Sequence, residues 1–174
     1  MQYGATIFPT AYAMPPAELG PALEERGFES FWVAEHSHIP ASRRSPWPGG
    51  PELPQMYYDT MDPFVVLAAA ATATTTLKVA TGIALVVQRD PIHTAKAVAS
   101  LDVISGGRAL LGVGAGWNIE EMEDHGTVPT RRFGRMRESV EAMKEIWANE
   151  IAEYHGEQIS FDPMYANPKP VQQP

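Results

Sequence analysis

Leu77-Lys78-Val79-Ala80-Thr81-Gly82-Ile83-Ala84-Leu85-Val86-Val87 is the stretch that decides the fold. Its Val, Ile, Ala and Leu residues run on without the polar–apolar alternation of a half-exposed strand. A strand of that kind is buried on both faces, as in a parallel sheet covered by helices. The flanks agree. Upstream, Asp62-Pro63 sets a capping side chain before a proline at the first helical position, and a helix follows to about Thr74. Downstream, Asp90-Pro91 repeats that signal, Ile92 to Ile104 continues as a helix, and Ser105-Gly106-Gly107 stops it.

The same alternation extends both ways. Tyr3 to Phe8 predicts a strand stopped by Pro9, and Ala17 to Arg26 a helix with Leu19, Ala22 and Leu23 on one side. Pro21 has no N–H and must fall in the first turn or kink the axis. Ser30 to Ala34 is a second apolar strand. A long insertion loop, Ile39 to Met61, carries Pro40, Pro46, Pro48, Pro51 and Pro54, and loops of this length usually serve function. Arg108 to Val113 is the fourth strand and runs into Gly112-Val113-Gly114-Ala115-Gly116. Phe133, Met136, Val140, Met143 and Trp147 step by three and four along a last helix, with Arg135, Glu138, Glu141 and Glu145 elsewhere around it. Residues 150–174 read as an irregular, proline-rich tail. The order β-α-β-α-β-α-β-α is an α/β fold with a parallel sheet in a single domain, 1–174. A full (β/α)₈ barrel takes about 250 residues, so the sheet is either open or half of a barrel.

Composition narrows the function. With 13 Lys plus Arg against 21 Asp plus Glu, the chain carries −8, which argues against a nucleic-acid backbone or an anionic membrane as partner. The absence of Cys removes disulfides, thiolate nucleophiles and Cys-ligated zinc. Val65 to Leu77 is too short and Thr-rich to span a bilayer, and Met1-Gln2-Tyr3 shows no cationic start of a secretory signal. A cytoplasmic protein acting on a small-molecule substrate is the expectation.

In parallel α/β folds reactive groups gather where strands end. After the second strand comes Glu35-His36-Ser37-His38, a carboxylate beside an imidazole suited to proton transfer. Glu35, His36 and His38 are also ligand types, but without a further His at convincing spacing the expectation is no metal. In the third strand Gly82 interrupts a β-branched run, which fits either a bulge facing a ligand or simple packing. After the fourth, Gly112-x-Gly114-x-Gly116 resembles a phosphate-cradling loop, though it is not the dinucleotide fingerprint. Trp117 offers an apolar wall and Asn118 a donor and acceptor for a heterocycle. Asp102 and Arg108 are expected to form an ion pair pinning the turn between them.

Taken in order, Glu35-His36, Thr81-Gly82-Ile83, Leu101-Asp102-Val103-Ile104-Ser105-Gly106-Gly107-Arg108 and Gly112-Val113-Gly114-Ala115-Gly116-Trp117-Asn118 resemble the luciferase-like monooxygenase superfamily. Within it they look most like the coenzyme F-420-dependent oxidoreductases. Arg131 to Trp147, His155-Gly156 and Pro168 to Gln172 extend the likeness over the whole chain. The resemblance implies a TIM-type (β/α)₈ barrel of which this chain carries the first four βα units, the tail leading to a fifth strand that is absent. It further implies a deazaflavin, coenzyme F-420, lying against a cis peptide at Gly82-Ile83. His36 would be the proton-transferring residue, Glu35 its acidic neighbour, and Gly114, Trp117 and Asn118 cofactor-binding. Ala115 stands where the glucose-6-phosphate dehydrogenase branch has a catalytic Glu, which argues against sugar-phosphate oxidation. The reaction implied is hydride transfer between F-420 and an organic substrate. The alternatives are an FMN-dependent monooxygenase on the same scaffold, or a truncated, non-catalytic half-barrel. Family habit implies a homodimer.

Overall fold

The computed structural model describes residues 1–172. Four parallel strands, β1 (Gly4–Ile7), β2 (Ser30–Val33), β3 (Lys78–Ala84) and β4 (Ala109–Val113), lie in the order β1-β2-β3-β4. Gly4 faces Ser30, Ser30 faces Lys78 and Val79 faces Ala109. The register slips between Thr81 and Ala84, where the Gly82–Ile83 peptide is cis. Four helices expected from the sequence are present, α1 (Pro16–Glu25), α3 (Pro63–Thr72), α4 (Pro91–Ser105) and α6 (Arg132–Ala148); two short ones were not expected, α2 (Gln55–Tyr58) within the insertion loop and α5 (Ile119–Asp124) after β4. Asp62 caps α3 by accepting from the N–H groups of Phe64 and Val65 at 2.9 and 3.1 Å. Asp90 caps α4 at His93 N, 2.8 Å away. Helices α1, α3, α4 and α6 pack on one another in succession, α3 against β3 and α4 against β4, around Phe31, Val33, Leu67, Leu77 and Val79, all essentially without solvent contact. The sheet is open, with β1 and β4 at its edges.

Several expectations need correction. Pro21 sits inside α1, not in its first turn, and removes the N–H that would meet the Ala17 carbonyl. The third strand ends at Ala84; Leu85 to Val87 stay buried but turn, because the Leu85 N–H goes to the Glu35 carboxylate at 2.6 Å. Asp102 and Arg108 form no ion pair. Asp102 accepts from the backbone and side chain of Gln172 at 2.9 and 2.7 Å. Arg108 instead donates to the carbonyls of Ala71, in the last turn of α3, and of Thr74 and Leu77 beyond it, at 2.8, 3.1 and 2.5 Å, where a cation finds unpaired acceptors. On α6, Phe133 is 62% exposed, while Glu138, Ser139, Ala142 and Ile146 are buried with Met143. The apolar stripe is thus rotated towards a hairpin that the sequence reading missed. Residues expected to be irregular form β5 (Ile151–His155) and β6 (Ser160–Tyr165), paired antiparallel. The hairpin tip is held by the Glu138 carboxylate, which takes the N–H groups of Gln158 and Ile159 at 2.8 and 3.0 Å. Burial would raise that carboxyl; the backbone donors outweigh it and hold it below its ordinary value. Gln173 and Pro174, the end of the predicted tail, lie outside the described residues. No helix among the described residues is long and apolar enough to cross a membrane.

Candidate active site

The chain leaves β2 at Val33, and Ala34 and His36 turn into a cavity of about 310 Å³ beyond the C-terminal ends of β2 and β3. That volume is at the lower end of small-molecule sites. Its walls include Phe8, Tyr57, Ile83 and Trp117. The His36 ring lies 5.3 Å from Tyr57 and edge-on to Trp117 at 5.8 Å.

Glu35 and His36 do not face one another. Successive residues leave the strand in opposite directions, and Glu35 turns to accept from Leu85 N and Arg89 Nε, both at 2.6 Å. Arg89 reaches on to Asp62 at 2.7 Å. Burial alone would lower the Arg89 guanidinium, but Glu35 and Asp62 hold it above its ordinary value. Glu35 is therefore a clasp that joins the ends of β2 and β3 to the start of α3.

The carboxylate that meets the histidine comes from α5. Glu121, with no solvent exposure, places Oε2 2.8 Å from His36 Nδ1, and its Oε1 accepts the Ser37 N–H at 2.9 Å. A buried carboxylate at Nδ1 selects the tautomer that carries its proton there, leaving Nε2 as the free nitrogen. Sequence reading missed Glu121. Its signal was present: Asn118 three residues before a Glu is a capping-box spacing, and it places that Glu on the first turn of a helix directly after the fourth strand.

Beside this pair, the Ser37 hydroxyl lies 2.7 Å from His125 Nε2 and 2.9 Å from His38 Nδ1, and His38 Nε2 lies 2.9 Å from Asp124. Helix α5 also ties down the insertion loop. Glu120 accepts from Ser45 N at 2.9 Å, from Ser42 Oγ at 3.2 Å and from the Ser45 hydroxyl. Burial would raise this carboxyl; the serine hydroxyls and backbone N–H groups bring it down to about 2.

The glycine-spaced turn serves packing in part. A Cβ at Gly114 would lie 1.8 Å from Ile83 Cδ1, so only glycine lets the Ile83 side chain lie over β4. Gly116 and Gly82 do line the cavity. Asn118 lies behind Trp117, 2% exposed, its Oδ1 3.5 Å from Glu121 N. Its Nδ2 is buried without a hydrogen-bond partner among the described residues. No group of three or more His, Cys, Asp or Glu among the described residues is arranged to hold a metal ion.

Residues 12–174 match the luciferase-like monooxygenase family. The chain belongs to that family. A relative in Mycobacterium tuberculosis H37Rv, itself uncharacterised, is 45% identical over 175 residues, covering 99% of this chain and 62% of the relative. The F420-dependent glucose-6-phosphate dehydrogenase of Kineococcus radiotolerans is 28% identical over 161 residues, covering 90% of this chain and 43% of that protein. The solved structure of monooxygenase RslO1 from Streptomyces bottropensis superposes with a TM-score of 0.81 at 27% identity, covering 99% of this chain and 51% of its own. This luciferase-like chain thus spans less than two thirds of the length of each. Among its sequence-predicted site residues, His36, Gly82, Ile83 and Trp117 share one cavity with Glu35 at its edge, while Gly114 and Asn118 stand outside the wall.

Proposed function

We propose that this luciferase-like chain forms the first four βα units of an oxidoreductase barrel. The reaction it serves is hydride transfer between coenzyme F-420 and a small organic substrate. The observation that carries the reading is the His36–Glu121 pair: a buried, tautomer-fixed imidazole inside an aromatic-walled cavity at the C-terminal end of a parallel sheet. A planar heterocycle fits the residues present. Tyr57 and Trp117 supply apolar faces and Ile83 a shelf. When bound, the deazaflavin supplies a carbon centre that gives or takes a hydride. His36 Nε2 accepts or returns the accompanying proton. Glu121 positions the ring and stabilises the imidazolium by charge. Glu35 shapes the floor through Arg89 and Leu85 N. An FMN-dependent monooxygenase is the second reading, favoured by the likeness to RslO1.

The reading includes a homodimer in the cytoplasm. The dimer is supported by Ile83, an apolar side chain 41% exposed at the site. The test is a fluorescence titration of the chain with F-420 and with FMN, beside sedimentation over a dilution series. Tighter binding of F-420, lost when the cavity is filled by Ala34→Trp, supports the reading. Preference for FMN replaces it with the monooxygenase. Binding of neither leaves the non-catalytic half-barrel.

A further inference from the structure

The insertion loop carries two adjacent arginines with opposite fates. Arg44 is neutralised, its guanidinium 3.6 Å from Glu120 and 3.3 Å from Glu123. Arg43 pairs with no carboxylate among the described residues, and its Nη1 is buried without any hydrogen-bond partner. Other arginines that meet no carboxylate, such as Arg108 and Arg135, donate to backbone carbonyls instead, whereas Arg43 has neither kind of acceptor among the described residues. Buried charges are ordinarily paired, because desolvation without a partner is costly. Arg43 is also the only non-glycine residue among the described ones with positive φ, at 49°, a conformation that local packing must enforce.

Its position gives that cation a use. The guanidinium sits over the Trp117 ring, 6.0 Å from its centroid, and Trp117 is a wall of the His36 cavity. Arg43 itself lines a second, open cavity of about 680 Å³ with Ser45, Trp47, Gln55 and Tyr58. Tyr57 divides the two spaces, its ring 5.6 Å from Trp47 on one side and 5.3 Å from His36 on the other. A ligand reaching from the His36 cavity past this partition meets a planar fork of donors backed by indole rings.

We propose that Arg43 docks an oxyanion, a carboxylate or phosphate, of the ligand handled beside His36. The fork matches the two oxygens of either group, and the Trp117 face below it holds the guanidinium plane in place. The inference rests on the oxidoreductase reading only for what lies in the neighbouring cavity. The anion has two sources, the substrate or the tail of F-420, and they are separable.

The experiment is calorimetric titration of the wild-type chain, Arg43→Gln and Arg43→Lys. Its probes are benzoate, inorganic phosphate, F-420 and the deazaflavin chromophore without its phosphate tail. Neither variant touches His36 or Glu121. If the anion belongs to the substrate, Arg43→Gln weakens benzoate roughly ten- to hundredfold, Arg43→Lys less, and both deazaflavins bind as before. If it belongs to the cofactor tail, F-420 weakens by that factor and the tail-free chromophore does not. Either result supports an anion site at Arg43. Equal binding of every probe by wild type and Arg43→Gln, or binding of no anion, overturns it. Should Arg43→Gln fail to fold, Arg43→Lys makes the same comparison. Arg43-dependent benzoate binding without any deazaflavin or FMN binding leaves the anion site standing and the redox reading fallen. Deazaflavin binding with no anion effect does the reverse.

Discussion

The two ends of the parallel sheet treat polar groups in opposite ways. At the N-terminal end no buried side-chain polar atom among the described residues lacks a partner. Glu24 on α1 gathers the N–H groups of Thr75 and Leu77 at 3.0 and 2.9 Å, and that of Thr76 as well. Arg108 spends its guanidinium on the carbonyls of Ala71, Thr74, Leu77 and Ser105 and on the Thr74 hydroxyl. At the C-terminal end the accounting fails to close. The buried side-chain atoms without a partner among the described residues are Thr10 Oγ1, Arg43 Nη1, Thr60 Oγ1, Gln88 Nε2, Asn118 Nδ2 and Arg132 Nε. Four of them, on Thr10, Arg43, Gln88 and Asn118, lie between the end of a strand and the next helix; Thr60 lies between α2 and α3, and Arg132 opens α6. Buried polar groups are seldom left unpaired, so the proposed site is the place where such groups should be tested.

The largest effect should come from the ligand end. His36→Ala is expected to lower turnover about 10² to 10⁴-fold with folding intact, the cost of a lost proton-transfer group. Glu121→Gln should lower it about 10 to 10²-fold, as removal of a positioning partner does. A positioning role also predicts a change that a merely structural one does not: the His36 ring nitrogens should lose their fixed tautomer in ¹⁵N spectra of the chain without cofactor. An unchanged tautomer would separate Glu121 from the chemistry.

At the opposite end, Arg108→Ala should cost about 3 kcal/mol of stability, since it leaves several partly buried carbonyls unpaired. Denaturant unfolding measures the loss. Ligand affinity, read on whatever fraction remains folded, should not change. If Arg108→Ala weakened binding as strongly as folding, the division of labour between the ends would be wrong.

How much of this contrast the sequence reveals depends on the range of the interaction. The parallel sheet was legible because burial on both faces imposes an unbroken apolar run on Leu77 to Val87. The caps at Asp62 and Asp90 were legible because they act within three residues. His36 was found because a strand end is visible locally. Its partner was not, because the choice between Glu35 and Glu121 is made across 85 residues by the direction in which each carboxylate leaves its element. The same reason hid the carbonyl acceptors of Arg108 and the unpaired state of Arg43; the hairpin was hidden because Pro163 breaks its alternation.

Acid should dismantle both ends, through different consequences. The Glu24 carboxyl is held at about 2 by the Thr76 hydroxyl first, with the N–H groups of Thr76, Leu77 and Thr75 adding to it against the opposing effect of burial. Glu120 is also brought to about 2, from an ordinary value of 4.5. A carboxyl lower in the folded than in the unfolded state contributes stability above the unfolded value, and that contribution fades as pH falls towards the folded one. Stability should therefore drop between about pH 4.5 and 2. Glu24→Gln should flatten that drop in global unfolding. Glu120→Gln should instead release the loop of residues 39–61, so that proteolysis within it at neutral pH matches that of the wild type in acid.

The smallest effect is the most direct comparison of the two ends. Gln88 and Thr74 are both buried and polar, at 9% and 7% exposure, one at each end of the sheet. The Gln88 Nε2 donor has no partner, and it lies 3.8 Å from where a side chain on Gly116, in the cavity wall, would begin. Thr74 Oγ1 accepts from Arg108 at 3.0 Å and donates to the Ala70 carbonyl at 2.9 Å. Replacing each by an apolar side chain of similar volume asks what its polar atoms contribute. Thr74→Val should cost about 1 to 3 kcal/mol, because it strands an arginine donor and a helix carbonyl. Gln88→Met strands nothing at Nε2, so stability should hold within about 0.5 kcal/mol or rise slightly, since an unsatisfied buried amide is itself unfavourable. Thermal and denaturant unfolding of the two variants side by side decides the matter. Equal losses would mean that the Gln88 amide is satisfied in solution, and that the unpaired donors at the C-terminal end are not a mark of the ligand.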